Sequence, residues 1–541
     1  MSNNSESQHQ QILEQGTSRN QGQTAQRMNI LAAKLVGETV RTTLGPQGMD
    51  KMIVDALGEV VITNDGATIL KEMNIEHPTA KMVVEIAKTQ EEEVGDGTTT
   101  AVVLAGELIN QAERLLEQNV HPTSVIKGFQ KASVESQKKL HEIAKKITTK
   151  DTAILEKLSM TAMTGKVAEQ AKEHLSKIVV CAIKQVSKNN KENKNISTET
   201  ISIQKKIGAN VDQSELISGL VLDKQKIHNN MPSQIKEAKI ALIDSPLELQ
   251  QTDTDAKISI TDPSKLQEFL DMEERMLKKL VDKITSTGAN VVFCQKGVDE
   301  IVQYLLAQKG VYACRRVKKS DMEKIAQATG ANIITTTNDL SSQKLGKAGS
   351  VIQEKIGDEY MTFIRDCTKS QTATILVRAN TEHIADEITR AIEDSIGNVA
   401  SAIRAQKIVG GAGATEIELS SHIQKYSQKF SGKEQLAIQG FAKAMEVIPQ
   451  TLAENAGLDP IDCIADLKSH HEKKRVWAGL DVYTGKIFNA VKAGVVEPLL
   501  VKTQAISSAS DVAIMILRID DVIIATPQAP TRQNPQESLD Y

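Results

Sequence analysis

Both ends of this chain read as amphipathic helices, and its middle reads as strands alternating with helices. This change of texture restricts the fold more than any single motif. Met28, Leu31, Leu35 and Val36 recur at helical spacing, which predicts an apolar helix face in a segment that stops at Gly45-Pro46. Two strand-like runs follow, 52–54 and 60–62. A helix after Pro78 carries Met82, Val83, Ile86 and Ala87 on one face. Another starts near Thr98 with the stripe Val102, Ala105, Ile109, Ala112 and Leu116, and a fourth follows Pro122. From about residue 200, strand-like runs at 239–243, 290–294, 333–337 and 374–377 alternate with helical stretches, whereas 386–448 returns to long helices. The order predicts one helical body interrupted by an inserted α/β module. At 541 residues the chain is too long for one core, and two to four domains are expected.

Composition excludes several classes. A formal net charge of −4 does not suggest a nucleic-acid binder. No apolar stretch approaches the length of a membrane span; dense runs such as 178–183 are short. The polar N-terminus lacks the apolar region of a signal peptide, so secretion is not expected. The five cysteines, Cys181, Cys294, Cys314, Cys367 and Cys463, include no CxxC pair and read as reduced thiols of the cytoplasm. Residues 1–24 are rich in Gln, Asn and Ser, and 526–541 in Pro and Gln; both are expected to be disordered tails.

Three loops have the make-up that phosphate binding needs. In Thr43-Leu44-Gly45-Pro46-Gln47-Gly48 the glycines let backbone amides approach an anion. Gly95-Asp96-Gly97-Thr98-Thr99-Thr100 places two glycines and three hydroxyls at a helix start, where free N–H groups and the helix dipole favour anions. Asp96 there could hold a magnesium ion that bridges phosphate oxygens. The third loop is Gly410-Gly411-Ala412-Gly413. There is no Walker A motif, so this is not a P-loop protein. Asp65 and Asp394 are further candidates, although spacing alone favours a turn acid for the first and a solvated helix face for the second.

Taken together, TLGPQGMD (43–50), NDGATIL (64–70), GDGTTTA (95–101), GAGATEIEL (411–419), LAENAGLDP (452–460) and VEPLLVKTQ (496–504) resemble the nucleotide-site signature of chaperonins. The motifs occur in family order, and the resemblance covers residues 25–525. The stretch TDTDAKISIT (252–261) with its following helix resembles the built-in lid of group II members, and the chain looks closer to archaeal thermosome subunits than to eukaryotic cytosolic paralogues. It departs from the pattern at Ala412, where many members have glycine.

The resemblance implies a multidomain α and α/β fold. A mostly helical equatorial domain would comprise 25–145 and 404–525, a small intermediate domain 146–214 and 367–403, and an α/β apical domain 215–366, with a helical lid protrusion at about 245–285. It implies an ATP-dependent chaperone that hydrolyses ATP with Mg2+, with K+ as a further cation, and encloses unfolded protein in a double-ring chamber. Leu44, Gly45 and Pro46 would wrap the phosphates, and Gly97, Thr98, Thr99 and Thr100 would donate to them. Asp96 would bind magnesium, and Asp65 and Asp394 would orient and polarise the attacking water. Lys166 would sense the γ-phosphate, while Gly413, Gly479 and Glu497 would frame ribose and adenine. The implied partners are identical or paralogous subunits in stacked rings, a hexadecamer, and nonnative client proteins, with no nucleic acid and no membrane. Client contacts are expected on the helix at 320–329 and on the lid helix, whose bland alternative is apical core. Two other classes compete. A small-molecule kinase or phosphatase would need its own substrate acid and base, and none is legible. A ring or filament protein without catalysis would not need Asp65, Asp96 and Asp394 together.

Overall fold

The computed structural model describes residues 18–54, 58–187, 200–248, 263–357, 359–367 and 372–524. Helices form where a start signal meets an apolar face. Pro78 and Pro122 open the helices Pro78–Val94 and Pro122–Ile143, where a missing N–H costs nothing, and the imidazoles of His77 and His121 accept from the N–H groups of Thr79 and Thr123. The helix Thr98–Glu117 is capped by Gly97 in the left-handed conformation. With Lys433–Met445 and Leu499–Leu517 these helices enclose one large core built from residues 30–140 and 409–517.

The helix Gly22–Arg41 faces this core differently from its predicted orientation. Ala25, Ile30, Ala33, Val36 and Val40 are buried, whereas Met28, Leu31 and Leu35 are 44%, 57% and 57% exposed. The helix packs by its small-residue side: a side chain at Gly37 would meet Gly106 of Thr98–Glu117 at 3.3 Å. Reading the largest side chains as the inner face therefore selected the wrong stripe. The expectation of disorder through residue 24 also fails at its end. Ser18–Gln21 pairs antiparallel with Asp521–Ile524, Arg19 donates to Asp521 Oδ2 at 2.9 Å, and the helix begins at Gly22. Ladder hydrogen bonds come from the backbone, so polar composition does not exclude them. Residues 1–17 and 525–541 lie outside the described residues.

A second core joins residues 147–201 to 373–408, with Val496 added. Beyond it lies a nine-stranded sheet. In spatial order its strands are Ile201–Ile207, Ala373–Ala379, Glu215–Leu222, Glu359–Cys367, Gly346–Ile356, Gln234–Ile243, Val291–Cys294 and Tyr312–Cys314, with Ile333–Ile334 also pairing with Gln234–Ile243. Both faces are covered. Ile240 and Leu242 point into one core, Ala241 and Ile243 into another, as the two-residue period of a strand requires. The α and α/β character expected from sequence is thus observed.

The expected lid falls partly outside the described residues: 249–262, which include Ile258, Ile260 and Asp262, and the side chains of Leu266, Phe269 and Leu270. Its two ends differ from a projection with little core of its own. Leu247, Leu277, Val281 and Ile284 are buried, so the C-terminal half of Pro263–Ser286 is anchored in the sheet's core, while Met272 and Met276 stay exposed. In the helix Lys319–Thr329, expected to meet clients, Met322, Ile325 and Ala328 are likewise core. Among the described residues one helix, Leu499–Leu517, is long and apolar enough to cross a membrane, contrary to the sequence reading. It carries Lys502 and Asp511, and Leu499, Val501, Ala505, Ile506 and Ala509 pack inside the first core or beside it.

Candidate nucleotide site

The loops singled out by composition converge on one cavity of about 520 Å³ between the first and second cores. Leu44, Gly45, Pro46, Asp65, Asp96, Gly97, Thr98, Thr99, Thr100, Lys166, Asp394, Gly413 and Glu497 all line it. Gly479 does not. A side chain there would meet Ala412 Cβ at 3.0 Å, so Gly479 backs the third loop from behind. Ala412 itself holds φ at +54°, a left-handed conformation in which its methyl group is strained. The extra methyl is accommodated because its neighbour Gly479 has no side chain.

Asp65 is indeed a capping acid, but not only that. Its Oδ2 accepts from the N–H and Oγ1 of Thr68, both at 2.8 Å, at the start of Gly66–Glu72. Its Oδ1 faces Thr98, whose hydroxyl donates at 3.2 Å. Asp96 Oδ1 accepts from Gly97 N–H at 2.6 Å, and Asp96 Oδ2 accepts from Asn398 Nδ2. The Gly95–Gly97 loop is pinned from below by fully buried Gln90, whose amide donates to Asp96 O at 2.9 Å and to Val501 O at 3.1 Å.

Asp394 is not on a solvated face. It lies on the helix Glu382–Ala405, which leaves the second core and leans on the Gly95–Gly97 loop: Ser401 Oγ donates to Val94 O at 3.1 Å, and Arg404 Nη2 to Glu93 O at 2.6 Å. Lys166 forms an ion pair with Asp394 across the cavity. Burial raises the Asp394 carboxyl well above the usual carboxylate range; Lys166 opposes the rise, and Asp65 and Asp96 add to it. Burial would lower the Lys166 ammonium, but Asp394, Asp96 and Asp65 outweigh it and hold the lysine charged. A second cavity, about 670 Å³, reaches Asp65 and Asp394 from the other side, between Glu91, Arg390 and Glu393.

The donor set fits a nucleotide with a magnesium ion. Among the described residues no three His, Cys, Asp or Glu side chains form a closed metal site. Magnesium usually takes one or two carboxylates and completes its shell with phosphate and water, and Asp96 beside an N-terminal helix turn offers that. Asn398 was missed by sequence reading although it lies one helical turn after Asp394, a spacing that places both on one face. Leu452, Tyr483 and Phe488 also line the cavity; Leu452 opens the LAENAGLDP motif, whereas Tyr483 and Phe488 carry no signal in the sequence.

Comparison with known proteins places the chain in a family. The TCP-1/cpn60 chaperonin family matches residues 36–527. The chain is 54% identical over 514 residues to a thermosome subunit beta of Archaeoglobus fulgidus, covering 95% of this chain and 94% of that one. It is 53% identical over 516 residues to a thermosome subunit of Methanocaldococcus jannaschii, covering 95% of each. Among solved structures, the open-state monomer of a group II chaperonin from Methanococcoides burtonii is similar with a TM-score of 0.62 and 40% identity, over 79% of this chain and 100% of the other.

Proposed function

Because the chain belongs to the TCP-1/cpn60 chaperonin family, as a group II subunit of the thermosome type, we propose that its cleft hydrolyses ATP to drive the closing of a protein-folding ring. Group II chaperonins are ATP-dependent and fold proteins in a ring chamber, and this chain is one of them. The observation that carries the catalytic reading is the origin of the cavity walls. Asp65, Asp96 and Thr98 come from the first core, whereas Lys166 and Asp394 come from the segments of the second.

In this reading Leu44, Gly45 and Pro46 wrap the phosphates, and the N–H groups of Thr98, Thr99 and Thr100 and the hydroxyls of Thr99 and Thr100 donate to them. Bound MgATP supplies the γ-phosphoryl electrophile and a metal charge that neutralises it. Asp96 holds the metal, oriented by Gly97 N–H and Asn398. Asp65 keeps one oxygen on its helix cap and turns the other towards the water, and Asp394 takes the water's proton. Lys166 keeps its Asp394 contact and turns another of its N–H groups to the γ-phosphate, and Gly413 and Glu497 frame the nucleoside. Turnover then depends on the second core closing over the first, which couples hydrolysis to shape.

In this reading the first core corresponds to the equatorial domain, the second core with the strands Ile201–Ile207 and Ala373–Ala379 to the intermediate domain, and the other strands of the sheet to the apical domain, with the boundaries given above. The ring is stacked on a second ring, sixteen subunits in all, closed by its built-in lid around nonnative protein in the cytoplasm. Potassium is a further cation of the site. The test is phosphate release beside nucleotide affinity in Asp394→Ala. Turnover should fall by about 10²–10⁴-fold with ATP affinity nearly intact. Turnover at the wild-type rate would rule the assignment out, and a large loss of affinity would move Asp394 into the binding shell.

A further inference from the structure

Glu497, assigned above to the nucleoside, belongs to a buried trio of charges at the cavity wall whose other two members have no role in the proposed mechanism. Lys502 Nζ sits 2.6 Å from Glu416 Oε1 and 2.7 Å from Glu497 Oε2. Lys502 and Glu416 are each 4% exposed. The three side chains come from three elements: Glu416 from the first turn of Ala414–Ser427, Glu497 from the strand Val496–Pro498, and Lys502 from the first turn of Leu499–Leu517.

The lysine is costly where it stands. A cation in the first turn of a helix opposes the helix dipole, and a buried ammonium loses its hydration. Two carboxylates offset both costs. Glu416 depends on the lysine in turn. Apart from the ammonium at 2.6 Å, neither of its buried carboxylate oxygens has a hydrogen-bond partner, so the lysine is what compensates them.

Of the three, Glu497 and Lys502 line the cavity, and the lysine ammonium is engaged by the two carboxylates. Glu497 Oε2 is taken by Lys502, and its Oε1 lies over the third loop, 3.0 Å from where a Cβ on Gly411 would stand. That leaves Oε1 as the acceptor available to a ligand, in one orientation. A glutamate with three rotatable bonds does not hold such a pose unaided. Burial raises its carboxyl, and Lys502 counters the rise.

We propose that Lys502, clamped by Glu416, is a positioning residue that fixes the Glu497 carboxylate to accept the ribose hydroxyls and so sets the preference of the site for ribonucleotides over deoxynucleotides. This rests on the reading above that Glu497 meets the ribose. Without the lysine, two buried carboxylates face one another with a single negative charge the most they can keep, and Glu497 either turns away or takes a proton; both outcomes remove the acceptor.

The experiment is calorimetric binding of ADP and of 2′,3′-dideoxy-ADP to the full chain, which separates recognition from turnover. Wild type should prefer ADP by about tenfold or more, the worth of hydrogen bonds to a charged acceptor. Glu497→Gln should lose most of that preference. Lys502→Met should lose it to the same degree, chiefly by weakening ADP, with dideoxy-ADP affinity little changed. Should Lys502→Met fail to fold because Glu416 is left unpaired, the double variant Lys502→Met/Glu416→Leu removes both charges together, a replacement that interiors tolerate, and the same loss is expected. Full discrimination retained in whichever of these folds, with Glu497→Gln impaired, overturns the role of Lys502. Full discrimination in Glu497→Gln overturns the ribose reading itself.

Discussion

At the scale of single residues the site is governed by one opposed pair. A proton acceptor must be ionised, and burial makes ionisation of Asp394 costly, while Lys166 lowers that cost. The sign of the expected pH effect follows. Turnover should fall as pH drops through the Asp394 pKa, because the protonated acid accepts no proton. Lys166→Met removes the group that holds the pKa down, so the acidic limb of the pH–rate profile should move to higher pH as well as to lower amplitude. A limb that stays in place, or moves to lower pH, would show that Asp394 does not titrate against Lys166. The acid loops were legible because Gly-Asp-Gly before a threonine run is unusual chemistry for a turn. Asp394 was not, since nothing in its spacing reveals that its helix is buried on that side. Gln90 and Asn398 escaped notice because an amide on a helix face has no signature until its partner is known.

At the scale of elements, the helix Glu382–Ala405 is the part that joins the cores. It crosses the Gly95–Gly97 loop so closely that a side chain at Gly397 would meet Gly95 Cα at 2.7 Å. Gly397→Ala should be favourable for the isolated helix by about 1 kcal/mol. In the folded chain it should push the helix off the loop, and with it Asp394 and Asn398. Phosphate release should then drop at least tenfold, by the sensitivity of catalysis to displacements of about 1 Å, while circular dichroism shows the helix content unchanged. Undiminished turnover would mean that the two segments need not touch. Helix positions were legible wherever proline, a capping residue and apolar spacing agreed, as at Pro78 and Pro122. Which face points inwards was not. In Gly22–Arg41 the side buried against Thr98–Glu117 carries Ala33 and Gly37, and a hydrophobicity pattern gives more weight to Met28, Leu31 and Leu35. The strand Ser18–Gln21 was illegible for a related reason: its partner lies some 500 residues away, at Asp521–Ile524, and its bonds are made by backbone.

At the scale of the whole molecule, the chain leaves the first core, passes through the second, forms the sheet and returns through both. The proposed catalytic groups are therefore brought together only by the tertiary fold. The helical–α/β–helical order anticipated this discontinuity, but the order of segments carries no information about the crevice between them. The family motifs supplied that. If hydrolysis and closure are coupled as proposed, the most direct measurement is the recovery of a chemically denatured test enzyme incubated with the assembled protein, with and without MgATP, for wild type and for Asp394→Ala. The account predicts recovery above the spontaneous level only for wild type with MgATP. Equal recovery by Asp394→Ala, or by wild type without nucleotide, would contradict it.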